Sequence, residues 1–319
     1  MTLPLAPPLK PQLALSRREL PTGEDYCYEI KLDGFRCVAF VDGEEVFLQS
    51  RNGRPLGRYF PELALPAGRY VLDGEIVVRD AAGREDFDAL GQRIHPAASR
   101  VALLAEQTPA VYVAFDLLAD GEQALLGRPF VERRSALAEL LAGEHFQAGP
   151  VEVMSTVSSA AEAEQWLVRA EGAIAKERSA PYRPGERKGM VKVKRVRTID
   201  AVIVGWRPGK EPNTVGALIL GLYDGEQLRV VGHCSGLSAA EKRRLVGFLA
   251  PYETGERGSA DSSRWSAGKE LEWIGVRPEL VVEIDFDHVS ADRIRHGAKL
   301  RRWREDKDPR ECRFEQLYS

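Results

Sequence analysis

The sequence predicts an α+β chain of two domains, a mixed α/β domain followed by a small β-barrel, and three observations lead there. Short apolar runs interleave with helix-forming stretches over the first two-thirds of the chain. After Lys194 the pattern changes to short strands punctuated by glycine. The 319 residues also lie at the upper edge of what one hydrophobic core usually organises. The boundary falls near Arg197, giving domains of residues 1–197 and 198–319.

Taken in order, Tyr28 to Gln49 reads as strand, turn, strand: an apolar run Cys37 to Val41, a turn at Asp42-Gly43, then Val46, Phe47 and Leu48. Further strands are expected at Tyr70 to Val78 and Val111 to Leu118, with helices around Glu132 to Leu141 and after Ser159, where Glu162 stands at capping-box spacing. In the second domain the strands are Ala201 to Trp206, Ala217 to Tyr223, Leu228 to Gly232 and Leu280 to Phe286, with a turn at Asp224-Gly225. A helix, Ser238 to Ala250, and a loop rich in Gly, Ser and charge, Glu253 to Gly268, complete a barrel of ordinary size.

The formal charge of -3 gives no global basic signature, so a nucleic-acid surface requires local clustering of Lys and Arg. Cys27, Cys37, Cys234 and Cys312 form no C-x-x-C pair, which points away from zinc and a disulfide framework and toward a reducing cytoplasm. The proline-rich start is no signal peptide and no run approaches membrane-spanning length, so a soluble protein without membrane association is expected. Neither G-x-G-x-x-G nor G-x-x-x-x-G-K-[ST] occurs.

Chemistry concentrates at Glu29-Ile30-Lys31-Leu32-Asp33-Gly34-Phe35-Arg36. A lysine amine with a pKa near 10.4 becomes a nucleophile only with burial or cationic neighbours, which Arg36, Lys192 and Lys194 are suited to supply. Glu29 and Lys31 share one face of an extended strand, as do Lys192 and Lys194. Taken singly, each admits a plainer reading: Asp33-Gly34 as a turn, Phe115 as strand core, Glu75 and Glu171 as acids near element ends, and the lysines as edge-strand charge.

Together, these segments resemble the ordered signatures of the covalent nucleotidyltransferases, which include polynucleotide ligases and capping enzymes. The first is Lys31 to Arg36, followed by Ser50-Arg51-Asn52-Gly53, Leu72-Asp73-Gly74-Glu75, Phe115-Asp116, Glu171 to Lys176, and Lys192-Val193-Lys194. Arg301 to Lys307 resembles the R-x-D-K signature that ligases carry on an OB-fold. Gln49 to Gly53, Gln92 to Pro96, Leu103 to Pro109 and Met190 to Lys194 are similar to the stand-alone C-type DNA ligases of actinobacteria, and the likeness spans nearly the whole chain. Met190 stands where an aromatic is common, and alanines occupy 173 and 175; neither departure removes a charge.

The resemblance implies an ATP-grasp-like nucleotidyltransferase domain followed by an OB-fold, and an ATP-dependent DNA ligase that seals 3′-OH/5′-phosphate nicks in DNA repair. It implies that Lys31 is the catalytic nucleophile, forming lysyl-AMP. Nucleotide contacts are expected from Glu29, Arg36, Arg51, Glu75, Phe115 as a stacking platform, Glu171, Lys192 and Lys194, with Arg304 and Lys307 acting mainly in enzyme adenylation. Arg51 is left between ATP and the 5′-phosphate of the nick. Glu75 and Glu171 are left between a ribose hydroxyl and a Mg2+ ion, with Mn2+ as the substitute. The expected partners are nicked duplex DNA and DNA-repair proteins, with a monomeric enzyme. The basic run from Arg293 to Arg310 suits pyrophosphate or a DNA backbone. Two alternatives stand beside this reading: an RNA ligase or capping-type enzyme, and a catalytically silent OB-fold protein that binds nucleic acid.

Overall fold

The computed structural model describes residues 2–146, 149–260, 271–290 and 292–318. The chain divides into two compact units, Met1–Arg195 and Val196–Ser319.

The first unit contains strands β1 (Leu15–Arg17), β2 (Tyr26–Ile30), β3 (Phe35–Gly43), β4 (Glu45–Ser50) and β5 (Gly68–Val78), then helices α1 (Phe87–Gln92) and α2 (Ala98–Gln107). After these come β6 (Ala110–Asp120), β7 (Gln123–Ala124), α3 (Phe130–Leu141), β8 (Val151–Val153), β9 (Thr156–Val157), α4 (Ala160–Glu164), α5 (Trp166–Arg169), β10 (Gly172–Glu177) and β11 (Met190–Lys194). One sheet has the order β4-β3-β5-β6-β7, with β8 joined to β6; the other has the order β1-β11-β10-β2-β9.

Side-chain alternation decides what each sheet face does. In the five-stranded sheet Glu29 and Lys192 both stand opposite Ile174, so these three share one face. Tyr28, Ala173, Ala175, Val191 and Val193 take the other face and pack with Ala163 and Trp166 of the short helices. In the larger sheet Leu72, Ile76, Ala114 and Leu117 face a core completed by Leu90, Leu137 and Leu141 from the helices. Arg36 and Glu75, directly opposite each other on β3 and β5, lie on the reverse face. Each sheet therefore buries one apolar face under helices; the other face carries the polar side chains of the site, which in the larger sheet stand among buried apolar residues such as Val38, Phe40, Val71, Val77 and Val113.

The second unit is built from β12 (Arg197–Pro208), β13 (Val215–Asp224), β14 (Gln227–Gly236), α6 (Ala239–Leu249), β15 (Glu253–Ala260), β16 (Leu271–Val276), β17 (Val281–Phe286), β18 (Val289–Ser290), β19 (Arg293–Ile294) and β20 (Ala298–Trp303). Pairing runs β13-β14-β20-β17-β12 and returns from β12 to β13, closing a five-stranded barrel; only β14 and β20 run parallel. Its interior holds Leu218, Leu220, Val231, Val282 and Ile284, with Leu245 and Leu249 of α6. This is the α+β architecture with a terminal OB-fold barrel that the sequence predicts.

Three local expectations are corrected. Helices α1 and α2 were not foreseen: α1 is six residues long and α2 has no side-chain cap. Ser159 does not cap α4, which ends after five residues; the capping box forms instead at α6, where Glu241 N–H donates to Ser238 Oγ at 3.2 Å and Ser238 N–H donates to Glu241 at 2.8 Å. Residues 253–260 of the expected loop form β15, held by β16, while 261–268 lie outside the described residues.

Candidate active site

A cavity of about 210 Å³ opens in the first unit between the faces of the two sheets that carry Glu29 and Glu75. The five-stranded sheet contributes Glu29, Ile174, Lys176, Met190 and Lys192; the larger sheet contributes Arg36, Glu75 and Phe115; Lys31, Arg51 and Met154 lie outside the strands. The segment Pro11 to Ala14 supplies a further wall.

Lys31 follows β2, and its backbone N–H donates to Gly172 O at 3.0 Å, so the strand pairing carries it to the sheet end beside Glu171. Its ammonium donates to Glu171, whose other carboxylate oxygen is 3.4 Å from Lys194 Nζ. Glu171 is thus shared by two lysines, one just past β2 and one at the end of β11. Lys192 loses proton affinity to burial first, then to Lys194, Lys31 and Arg51, so positive charge is crowded here.

Two glycines make this approach sterically possible. A Cβ on Gly34 would stand 2.7 Å from Glu75 Cγ and overlap the Ile76 carbonyl, so only glycine lets the turn after Lys31 lie against β5. Gly172 has φ +152°, and a Cβ there would overlap the Val193 carbonyl.

Arg36 forks onto Asp73, with Nε and Nη2 both at 2.6 Å, and its guanidinium lies 4.4 Å from the Phe115 ring centre. Opposite Arg36, the Glu75 carboxyl is pushed up to about 7, chiefly by burial; Arg36 and Lys31 pull it down and Asp73 and Glu171 push it up. Beneath Phe115 lies a buried ion pair: Lys176 Nζ is 2.8 and 3.0 Å from the two Glu29 oxygens and 3.2 Å from Phe115 O. The same ammonium is 4.6 Å from the centre of each of the Phe115 and Phe130 rings.

Of the residues singled out in the sequence, Lys31, Glu29, Arg36, Arg51, Glu75, Phe115 and Lys192 line the cavity, and Glu171 and Lys194 adjoin it through Lys31. Arg304 and Lys307 belong to the second unit. There Arg304 is held by Asp200 at 2.9 Å and Asp306 at 2.9 Å, and Lys307 by Glu311 at 2.7 Å. Lys176, Arg187 and Gln12 line the cavity without having been assigned a role from sequence. Lys176 sat inside a recognised signature, and its alternation with Ile174 was the available signal.

Glu75 and Glu171 both act electrostatically on the space beside Lys31. Among the described residues no group of three or more His, Cys, Asp or Glu forms a metal cage. Such a donor set fits Mg2+, which takes one or two carboxylates, keeps several waters and fills its shell with substrate phosphates. No helix among the described residues is long and apolar enough to cross a membrane.

Residues 10–194 match the model of the ATP dependent DNA ligase domain, and residues 211–307 match that of the ATP dependent DNA ligase C terminal region. DNA ligase C1 of Mycolicibacterium smegmatis is 44% identical, covering 99% of this chain and 96% of that relative. DNA ligase C of Mycobacterium tuberculosis is 43% identical, covering 99% and 96%. Among solved structures, the ligase domain of M. tuberculosis LigD is 30% identical, with a TM-score of 0.52 over 95% of this chain and 97% of that one. A mycobacterial DNA ligase D complexed with ATP and MES is 29% identical, with a TM-score of 0.53 and the same coverage.

Proposed function

Because this chain belongs to the ATP-dependent DNA ligase family, we propose that its first unit binds ATP in the cavity beside Lys31 and becomes adenylated there as the first step of sealing nicked DNA. The observation that carries this is one lysine lining the cavity, gripped by Glu171 and accompanied by Lys192, Lys194, Arg36 and Arg51.

The Lys31 nitrogen forms a bond to the α-phosphorus, the α–β anhydride breaks, and pyrophosphate leaves. The ammonium sheds one proton before its nitrogen can attack, for which the Glu171 carboxylate is an acceptor already in contact with it, and the nitrogen loses a second to solvent or the departing pyrophosphate as the N–P bond forms. Lys192, Lys194, Arg36 and Arg51 offset the charge building on the phosphate oxygens. Mg2+, or Mn2+ in its place, would be held by Glu75 and Glu171 and would supply further charge neutralisation at the phosphates. Arg304 and Lys307 assist this adenylation step by binding the leaving pyrophosphate.

The base is recognised at the far end of the cavity. Phe115 offers a stacking face worth about 1–3 kcal/mol. Glu29 and Lys176 present an acceptor and a donor side by side, the complement of adenine's exocyclic amine and ring N1. The AMP then passes to the 5′-phosphate of the nick, and the 3′-hydroxyl attacks that phosphate, expelling AMP and forming the phosphodiester.

Nick repair by a cytoplasmic monomer is the setting that fits this chemistry. The test is sealing of a labelled duplex nicked between a 3′-OH and a 5′-phosphate, run beside duplexes with RNA on one or both sides of the nick. ATP-dependent sealing of the DNA nick is expected. Sealing confined to RNA ends would instead make it an RNA ligase.

A further inference from the structure

We infer that Tyr182 and Gln49 are positioning residues for ATP, because they pin the segment Leu9 to Ala14 across the nucleotide cavity and join it to Arg36.

The segment is no helix and pairs as a strand only from Leu15 onward, with Leu13 N–H donating to Glu186 O at 2.8 Å and Gly185 N–H to Pro11 O at 3.2 Å. Side chains from distant parts of the first unit hold it as well. The Gln49 carboxamide, 1% exposed, accepts from Leu9 N at 3.0 Å and donates to Leu9 O at 2.7 Å, acting as a strand partner for one residue. Three residues on, the Tyr182 hydroxyl accepts from Gln12 N at 2.9 Å and donates to Asp73 Oδ2 at 2.6 Å. The direction of that O–H is fixed: the backbone N–H of Gln12 can only donate, so the single hydroxyl proton goes to Asp73.

Asp73 grips Arg36 by its fork, and Arg36 Nη2 donates back to Gln12 O at 3.4 Å. Tyr182, Asp73, Arg36 and Gln12 therefore form a closed circuit of hydrogen bonds, in which Asp73 is fully buried and Tyr182 is 4% exposed. In such a circuit the segment and the guanidinium hold each other in place, and in a low-dielectric site each bond strengthens its neighbours. Pro11, Gln12, Leu13 and Ala14 line the cavity on one side of the circuit and Arg36 lines it on the other. Loss of the Tyr182 hydroxyl leaves the Gln12 N–H orphaned and leaves Asp73 Oδ2 with Arg36 Nη2 as its one remaining donor in the circuit, loosening both walls at once.

This inference rests on the reading of the cavity as the ATP site. The test measures lysyl-AMP formation against ATP concentration for the full chain, Tyr182→Phe and Gln49→Met. Tyr182→Phe is expected to raise KM for ATP about tenfold, the loss of one buried bond to a charged group. Gln49→Met is expected to raise it in the same direction, with label per mole of folded protein unchanged in both. Hydrogen exchange of the wild-type protein supplies a readout independent of the variants: α,β-methylene-ATP is expected to slow exchange in the peptide spanning residues 9–14. An unchanged KM in both folded variants, reduced labelling at unchanged KM, or no change of exchange on nucleotide binding would each overturn the assignment. Wild-type protein that takes no label at all would sink the ATP reading itself.

Discussion

Replacing Lys176 by methionine keeps the length of the side chain and removes its charge, and it strikes the most deeply buried ion pair of the site. Glu29 is 2% exposed and Lys176 6%, and the ammonium also donates to Phe115 O and lies against two aromatic rings. Removing one member of such a pair strands the other in a low-dielectric interior, at a cost of about 3–5 kcal/mol. The sign of the pH dependence follows from Glu29. Burial, outweighing Lys176, already raises its carboxyl above the usual carboxylate value, so the folded protein holds that proton more tightly than the unfolded chain does. Ionising Glu29 therefore lowers stability as pH rises through this range, and loss of Lys176 deepens the effect. The deficit of Lys176→Met should be smallest in acid and grow toward neutrality. Hydrogen exchange of peptides covering β2 and β10, corrected for intrinsic rates at each pH, reads the opening free energy where the pair sits. The double variant Glu29→Leu/Lys176→Met should recover most of the loss, because two apolar groups leave no stranded charge. A single variant that loses under about 1 kcal/mol, or a double variant no better than the single, would refute this reasoning.

Three further outcomes are expected. Glu75, raised from 4.5 to about 7, binds its proton more tightly in the fold, so wild-type stability falls as pH rises between those values. Glu75→Gln escapes that loss and should be the more stable protein above pH 7, with the gap closing below pH 4.5, as measured by urea unfolding in EDTA. Gly34→Ala forces a methyl into β5 and should cost about 1–3 kcal/mol, seen as faster exchange in the peptides of β3 and β5. Arg304→Ala should slow lysyl-AMP formation while leaving the sealing of a pre-adenylated nick near wild type; normal self-adenylation by this variant would remove Arg304 from the first step.

Legibility followed the range over which each feature is determined. The β3–β4 hairpin was readable because alternation and Gly43, at φ +67°, are local. So was α6, whose cap lies within three residues of its start. Residues 253–260 read as a loop because Gly255, Gly258 and their charged neighbours have no strand signature; only pairing with β16 makes them a strand. Helix α1 carries a cap signal in Asp86, whose Oδ1 accepts from Ala89 N–H at 2.9 Å, but six residues with Gly91 one before the end are too few for a helical period to show, and α2 follows Ala97, which has no side-chain oxygen to cap it. The candidate site divides the same way. Lys31, Glu75, Glu171 and Lys192 were visible as short contiguous patterns. The partner of Glu29 lies 147 residues away, and Gln12 meets Tyr182 across 170, so nothing local announced either contact.

The central claim concerns one bond, between Lys31 and AMP. Protein freed of bound nucleotide, mixed with magnesium and either α-labelled ATP or α-labelled GTP, should take acid-labile, hydroxylamine-sensitive label from ATP alone. Lys31→Ala should take none. Absence of label on folded wild-type protein, or label that survives on Lys31→Ala, would contradict the account.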